Sequence, residues 1–360
     1  MTNALLPTGF RDRLPPEADA SARLVRIILD AVAGYGYERV QPPLAEFEAT
    51  LTAGLHVSGR DLLRFVDPAS GETMAVRSDM TGQIGRIATN RMGHHPRPVR
   101  LSYGGPVVKL KAGQLRPERE MMQVGAELIG ADSVAAVAEI INAAIDGLRQ
   151  AGVTGLTLDL NMPDVIDLLA IGPLPVDDVA LLKARLDAKD VAAVPNAYAP
   201  LIEAAGPVAA AIGKLRAFDV QGLLADRLAR IEAIVALLPS DITITLDPTE
   251  RHGFEYQSWL GFSLYSPLAT GEIGRGGTYF NGAEPAVGFS AFIDPLIDAG
   301  LARGDRRRLF LPVGTTAAVA AQYRADGWVT VAALTEEDTA QAQICTHILT
   351  DGKAVPIKKD

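Results

Sequence analysis

The sequence predicts an α+β fold, and three observations carry that reading. Strand-like segments cluster in two stretches, residues 74–130 and 253–293. Two strictly alternating runs, LTLDL (156–160) and ITITL (242–246), read as half-buried strands. Between them the composition turns rich in alanine and leucine, which reads as a helical insertion at about 162–240. At 360 residues the chain has room for two domains, or for one large domain carrying an insertion.

The opening, LLPTGFRDRLPPEA, is an irregular arm punctuated by Pro7, Gly9, Pro15 and Pro16. A helix follows, because Leu24, Ile27, Ile28 and Ala31 fall on one helical face. Gly34 and Gly36 end it, and Tyr37 to Pro43 starts an extended segment. Strands are expected around Met74–Arg77, Val99–Tyr103, Val107–Lys111 and Met121–Leu128. A second helix should run from about Ser133 to Gln150, with Val134, Val137, Ile141, Ala144 and Leu148 apolar. Asp132 or Ser133 can cap it, and Gly152 lies where helices commonly stop. The tail, 301–360, has room only for a small C-terminal α/β segment, giving a division into 1–300 and 301–360.

Composition narrows the function. Hydrophobic residues make up 48% of the chain, enough for a substantial core. No apolar run approaches the roughly 18 residues that cross a bilayer, so no membrane contact is expected and the reading is cytoplasmic. The net charge of −9 argues against a nucleic-acid partner, which needs a basic footprint. Arg306, Arg307 and Arg308 form too short a run for more than a solvated loop. The single cysteine, Cys345, rules out an intramolecular disulfide and fits a structural thiol better than a metal site. No metal or cofactor is expected.

The most informative segment is EMMQVGAELIG, 120–130. Strand alternation puts Met122, Val124, Ala126 and Leu128 on one face, and Gln123, Gly125 and Glu127 on the other. A strand glycine often marks close approach by a ligand or another backbone, so Gln123 and Glu127 fit the floor of a polar pocket. They equally fit the solvated face of an antiparallel strand. If AVRSDMT (75–81) stays extended, Arg77, Asp79 and Thr81 share a face. Asp79 beside Thr81 can then hold an ammonium group or sit in a surface ion pair. GEIGRGGTYFNG (271–282) lacks the GK[ST] ending of a P-loop and reads as a hairpin with close backbone packing. His94 and His95 read as exposed loop residues. No Ser-His-Asp or Cys-His arrangement can be argued from spacing.

Taken in order, these segments resemble the histidyl-tRNA synthetase catalytic domain. GFRDRLPPE (9–17) is similar to that family's opening, and GYERVQPPLAE (36–46) to motif 1, with its proline at Pro43. VRSDMT (76–81) resembles the Arg-Pro-Glu-Gly-Thr segment, and 103–130 resembles motif 2 with its return strand. RHGFEYQSWLGF (251–262) and GRGGTYF (274–280) resemble the two histidine signatures, and AVGFSAFIDPL (286–296) stands at motif 3. The resemblance implies a class II synthetase-like antiparallel sheet flanked by helices, and a homodimer through motif 1. It also implies a histidine-binding set: Gln123 and Glu127 as the histidine-binding pair, Asp79 and Thr81 for the ammonium, Lys109 from motif 2, and Tyr256 and Tyr279 from the signatures. Arg77, Arg251, His252 and Gln257 are secondary members, Gln257 standing where the family has a second tyrosine.

The departures set the functional expectation. Adenylation needs cations that stabilise phosphoryl-transfer charge. Lys109 holds the motif 2 arginine position and loses the bidentate fork. Pro295 holds the motif 3 arginine position and supplies no cation; His252 replaces the arginine that opens the first signature. The tail is also shorter than the anticodon-binding domain of an authentic synthetase. Such a pattern resembles the regulatory subunit family of ATP phosphoribosyltransferase. There the subunit joins a short-form catalytic chain, contributes no catalytic residue, and lets L-histidine inhibit the first step of histidine biosynthesis. A divergent histidine-activating enzyme and a free-standing amino-acid sensor are the alternatives.

Overall fold

The computed structural model describes residues 6–52, 62–110, 117–251, 257–304 and 307–357. It divides into two compact units, Met1–Ala302 and Arg303–Asp360.

Among the described residues, the first unit is built on a nine-stranded sheet. From edge to edge its strands are Glu38–Arg39, Val99–Val108, Glu120–Ile129, Glu284–Phe292, Gly274–Asn281, Gln257–Tyr265, Thr157–Asn161, Thr243–Leu246 and Gly206–Pro207. The six strands from Val99–Val108 to Thr157–Asn161 are antiparallel throughout. Parallel pairing enters outside them, at Glu38–Arg39 and between Thr157–Asn161 and Thr243–Leu246. The sheet is therefore mixed, with an antiparallel centre. The parallel pair near the far edge has a simple cause: parallel neighbours need a long crossover. Five helices between residues 165 and 235 occupy it, Val165–Ile171, Val179–Asp187, Ala199–Ala204, Val208–Phe218 and Ala225–Val235.

Two long helices, Glu17–Ala33 and Val134–Gln150, pack against each other and against Val124, Ala126 and Leu128. Leu24, Ile28 and Val32 are fully buried there, each burial contributing about 1.5–3 kcal/mol. Ser133 caps the second helix by accepting the Ala136 N–H, and Gly152, at φ +93°, turns the chain away just past its end. The opposite face of the Glu120–Ile129 strand carries Gln123 and Glu127, which are also buried. The solvated-face reading of that strand is thus excluded.

Two sequence expectations are corrected, and a third is refined. The strands expected at 99–103 and 107–111 are one strand, Val99–Val108. Its interior Pro106 is tolerated because the edge neighbour pairs only with Leu101 and Ser102, so no second partner needs the missing N–H. The extended segment at Tyr37–Pro43 carries a two-residue strand, Glu38–Arg39, and the Val40 N–H donates to Ser102 O at 2.9 Å. The strand at 74–77 ends at Val76, and Thr81 opens the helix Thr81–Asn90, so Arg77, Asp79 and Thr81 do not share a strand face. The overlooked signal is Met80, Ile84 and Ala88, all buried and spaced at one helical turn.

The second unit has a four-stranded sheet with Arg308–Leu311, Val329–Ala332 and His347–Thr350 parallel and Lys353–Pro356 antiparallel at one edge. The helix Ala317–Ala325 supplies Ala320 to its small core with Leu309 and Leu311.

Candidate functional site

The site lies on the sheet face opposite the long helices. Gln123 and Glu127 are 0% and 1% exposed, so each needs partners for its polar atoms. Glu127 finds them on two strands. Tyr103, on Val99–Val108, donates to Oε1 at 3.0 Å. Tyr279, on Gly274–Asn281, donates to Oε2 at 2.9 Å. Between these, on Glu284–Phe292, Gly288 stands directly opposite Glu127, and a Cβ there would lie 1.6 Å from Oε2. Only glycine lets the carboxylate cross that strand.

Gln123 links this carboxylate region to the turn at 77–80. Its Nε2 donates to Asp79 Oδ2 at 2.7 Å and to Ser290 Oγ at 2.7 Å, while its Oε1 accepts the Met80 N–H at 3.0 Å. Asp79 Oδ1 accepts the Thr81 N–H at 2.7 Å, one of the orphan donors of the helix that begins there. Thr81 Oγ1 lies 3.4 Å from the Tyr103 hydroxyl. Asp79, Thr81, Gln123, Glu127 and Tyr279 thus form one connected polar network. It lies beside a cleft also lined by Gln257, Arg275 and Ser290.

Burial dominates the electrostatics. It pushes the Glu127 carboxyl up to about 8, even though hydrogen bonds from Tyr279, Thr81 and Tyr103 pull it down; the nearby Asp79 charge adds to the rise. The Tyr103 hydroxyl is held well above its ordinary value, first by burial and then by the Glu127 and Asp79 charges. The site is therefore electronegative and proton-retaining. It suits a ligand that brings both a cation and N–H donors, as an amino acid with a basic side chain does.

The other sequence candidates are placed as follows. Gln257 reaches the cleft, its Nε2 donating to Gly276 O at 2.8 Å. Lys109 follows the Val99–Val108 strand, with Nζ 5.5 Å from the Phe292 ring centroid. Arg77 is buried away from the cleft floor, where it clamps the carbonyls of Pro106 at 2.8 Å and Pro42 at 3.1 Å. That is a structural task, tying the motif 1-like segment to the sheet. Arg251 is exposed and its N–H donates to Asp187 Oδ1 at 2.9 Å. His252 and Tyr256 lie outside the described residues. Sequence reasoning missed Tyr103, Ser290 and Arg275. Strand register brings them in: Tyr103 pairs with Gly125 and Arg275 with Ser290, which itself pairs with Gly125.

Pro295 lies at the start of the buried helix Asp294–Asp298. Beside it, Asp294 takes the Arg13 guanidinium of the N-terminal arm and accepts the Met122 N–H at 3.0 Å. A cavity of about 270 Å³ opens here, lined by Glu118, Asp294, Pro295 and Asp298 among others. This wall presents carboxylates, with Arg11 3.9 Å from Glu118 and 3.6 Å from Asp298. Among the described residues no group of three or more His, Cys, Asp or Glu is placed to hold a metal, and no helix is long and apolar enough to cross a membrane.

Comparison with known proteins shows the family and the fold. The histidyl-tRNA synthetase family profile matches residues 9–296. A protein of Paramagnetospirillum magneticum named ATP phosphoribosyltransferase regulatory subunit is 43% identical over 364 residues, covering 96% of both chains. A protein of the same name from Rhodospirillum centenum is 40% identical and covers 99% of this chain and 97% of its own. Among solved structures, an ATP phosphoribosyltransferase regulatory subunit/histidyl-tRNA synthetase from Bacillus halodurans C superposes with a TM-score of 0.83 at 23% identity, over 96% of each chain. Histidyl-tRNA synthetase from Nostoc sp. PCC 7120 gives 0.75 at 15% identity, over 97% of this chain and 92% of that one. Both structural likenesses establish the class II synthetase-like fold. The chain belongs to the ATP phosphoribosyltransferase regulatory subunit family, a branch of the histidyl-tRNA synthetase relatives.

Proposed function

We propose that this chain is the non-catalytic regulatory subunit of an ATP phosphoribosyltransferase in histidine biosynthesis. In this reading it binds L-histidine in the cleft around Glu127, pairs with a second copy of itself, and joins a short-form catalytic partner that performs the phosphoribosyl transfer. The observation that carries it is an asymmetry. The amino-acid side of the site keeps a connected network, Asp79–Gln123–Ser290–Tyr103–Glu127–Tyr279. The adenylating side has Pro295 and a carboxylate already paired with Arg13. A protein that binds the amino acid and cannot activate it has regulation left to do.

The reading is tested by mixing the chain with a short-form catalytic subunit. Light scattering should give a mass well above either protein alone, and transferase activity should rise on mixing and fall again with added histidine. Two separate species with an unchanged rate would overturn it.

A further inference from the structure

One cross-strand row runs through the site. Directly paired residues of an antiparallel sheet share a face, and the register reads Glu127, Gly288, Gly277, Gly261, Asn161 in unbroken succession. Three glycines on three adjacent strands leave a trough, with a carboxylate at one end and a carboxamide at the other. Both end groups lean inward. Glu127 Oε2 overhangs Gly288, and Asn161 Oδ1 lies 2.2 Å from where a Cβ on Gly261 would sit.

Asn161 is 1% exposed. Among the described residues neither its Oδ1 nor its Nδ2 has a hydrogen-bond partner. Leaving one such group unsatisfied costs about 1–3 kcal/mol, so a buried amide with both atoms unmet marks a place where something polar binds. Gln257 supplies the second feature. Its Nε2 is engaged with Gly276 O, which fixes the amide so that Oε1 falls 2.7 Å from the same Gly261 position. Two amide oxygens therefore converge at the far end of the trough.

The overhangs of Glu127 and Asn161 are two strand spacings apart, roughly 10 Å. A five-membered ring hydrogen-bonded directly to Glu127, with one water beyond its far nitrogen, spans that gap. The water would have the ring N–H, Asn161 Oδ1 and Gln257 Oε1 as partners, about the number a buried water makes.

Resting on the reading of this cleft as a histidine site, we propose that Asn161 is a specificity-determining residue: with Gln257 it holds a water that reads the second nitrogen of a bound imidazole side chain. Glycine packing alone would accept any flat ring; the amide distinguishes a ring with two nitrogens from a ring with one.

The test is titration calorimetry of the full chain with L-histidine and with a pyrrolylalanine isostere that keeps only the nitrogen facing Glu127. Wild type should prefer histidine by about three- to tenfold, the worth of one net hydrogen bond. Asn161→Leu should weaken histidine by about that factor and leave the isostere unchanged, so the preference disappears. Asn161→Asp, which keeps an acceptor and the side-chain size, should retain it and serves as the folding control. If Asn161→Leu keeps the wild-type preference while Glu127→Ala loses histidine binding, the Asn161 proposal is overturned and the histidine site stands. If Glu127→Ala binds histidine as wild type does, the site itself is misassigned and both fall.

Discussion

Tyr279 and Glu127 lie on strands separated by a third, yet a 2.9 Å hydrogen bond joins phenol to carboxylate over Gly288. That single crossing couples the protonation of the pocket to its shape, because the bond favours the ionised carboxylate while burial opposes it.

Histidine affinity should pass through a maximum between about pH 6.5 and about 8. Below the lower value the free imidazole gains its own proton. Above the upper one Glu127, raised to about 8, loses its proton before the ligand arrives. A neutral imidazole with protonated Glu127, or an imidazolium with ionised Glu127, carries the same single shared proton. Binding should therefore take up a proton above about pH 8 and release one below about pH 6.5. Calorimetry in buffers of different ionisation enthalpy measures both; affinity that stays flat from well below about pH 6.5 to well above about pH 8 would remove Glu127 from the site. Tyr279→Phe should move the alkaline limb upward, since it deletes a bond that lowers the carboxyl's pKa.

Folding stability gives an independent check on Glu127. An unfolded chain releases this proton near the ordinary 4.5, whereas the folded chain keeps it to about 8. Between those values the folded state binds more protons, so rising pH costs stability, and the loss is complete above about 8. Glu127→Gln cannot ionise and escapes that loss. Its stability advantage over wild type should grow from about pH 5 to about pH 8 and then level off, as read from urea unfolding midpoints. An advantage independent of pH would mean that the carboxyl is not raised.

The polar face of 120–130 was legible in the sequence because strand alternation depends only on local order, so Gln123, Gly125 and Glu127 could be grouped without knowing what faced them. What faced them could not be read. Tyr103, Ser290 and Asn161 enter through strand register, which is fixed by long-range pairing and leaves no local trace. The turn at 77–80 failed for another reason. Four residues cannot display a helical period, and it takes Ile84 and Ala88 to show that Met80 belongs to one. Arg77 illustrates the limit of transferring roles by motif: the residue is where the motif puts it, and its guanidinium is occupied by backbone carbonyls.

Gly288→Ala should be a severe binding variant without touching any polar group. Its methyl would fall 1.6 Å from Glu127 Oε2 and 2.9 Å from Ala126 O, and the carboxylate has no room to retreat among Tyr103, Tyr279 and the strand. Histidine binding should drop by more than tenfold, with a stability loss of about 1–3 kcal/mol from overpacking. Calorimetric binding and a thermal melt on the same sample separate the two effects. Unchanged affinity would show that the ligand does not use the carboxylate in its observed position.

The isolated chain should not activate histidine, and restoring one cation should not rescue it. Adenylate formation requires positive charge where the pyrophosphate leaves. Here that wall holds Pro295, Asp294, Asp298 and Glu118. The arginines beside it are committed: Arg11 pairs with Glu118 at 3.9 Å and Asp298 at 3.6 Å, and Arg13 with Asp294, whose other oxygen holds the Met122 N–H. Removing the latter arginine by Arg13→Ala should cost about 3 kcal/mol, the low end for breaking a buried pair, because its side chain keeps 20% exposure. Pro295→Arg would add a cation beside two carboxylates, which would bind it in place of phosphate. Histidine-dependent exchange of pyrophosphate into ATP should therefore stay at the no-enzyme level for wild type and for Pro295→Arg alike. Exchange above that level in the wild-type chain would return it to the synthetases. Exchange in Pro295→Arg alone would show that one lost cation, and not the acidic wall, had silenced the site.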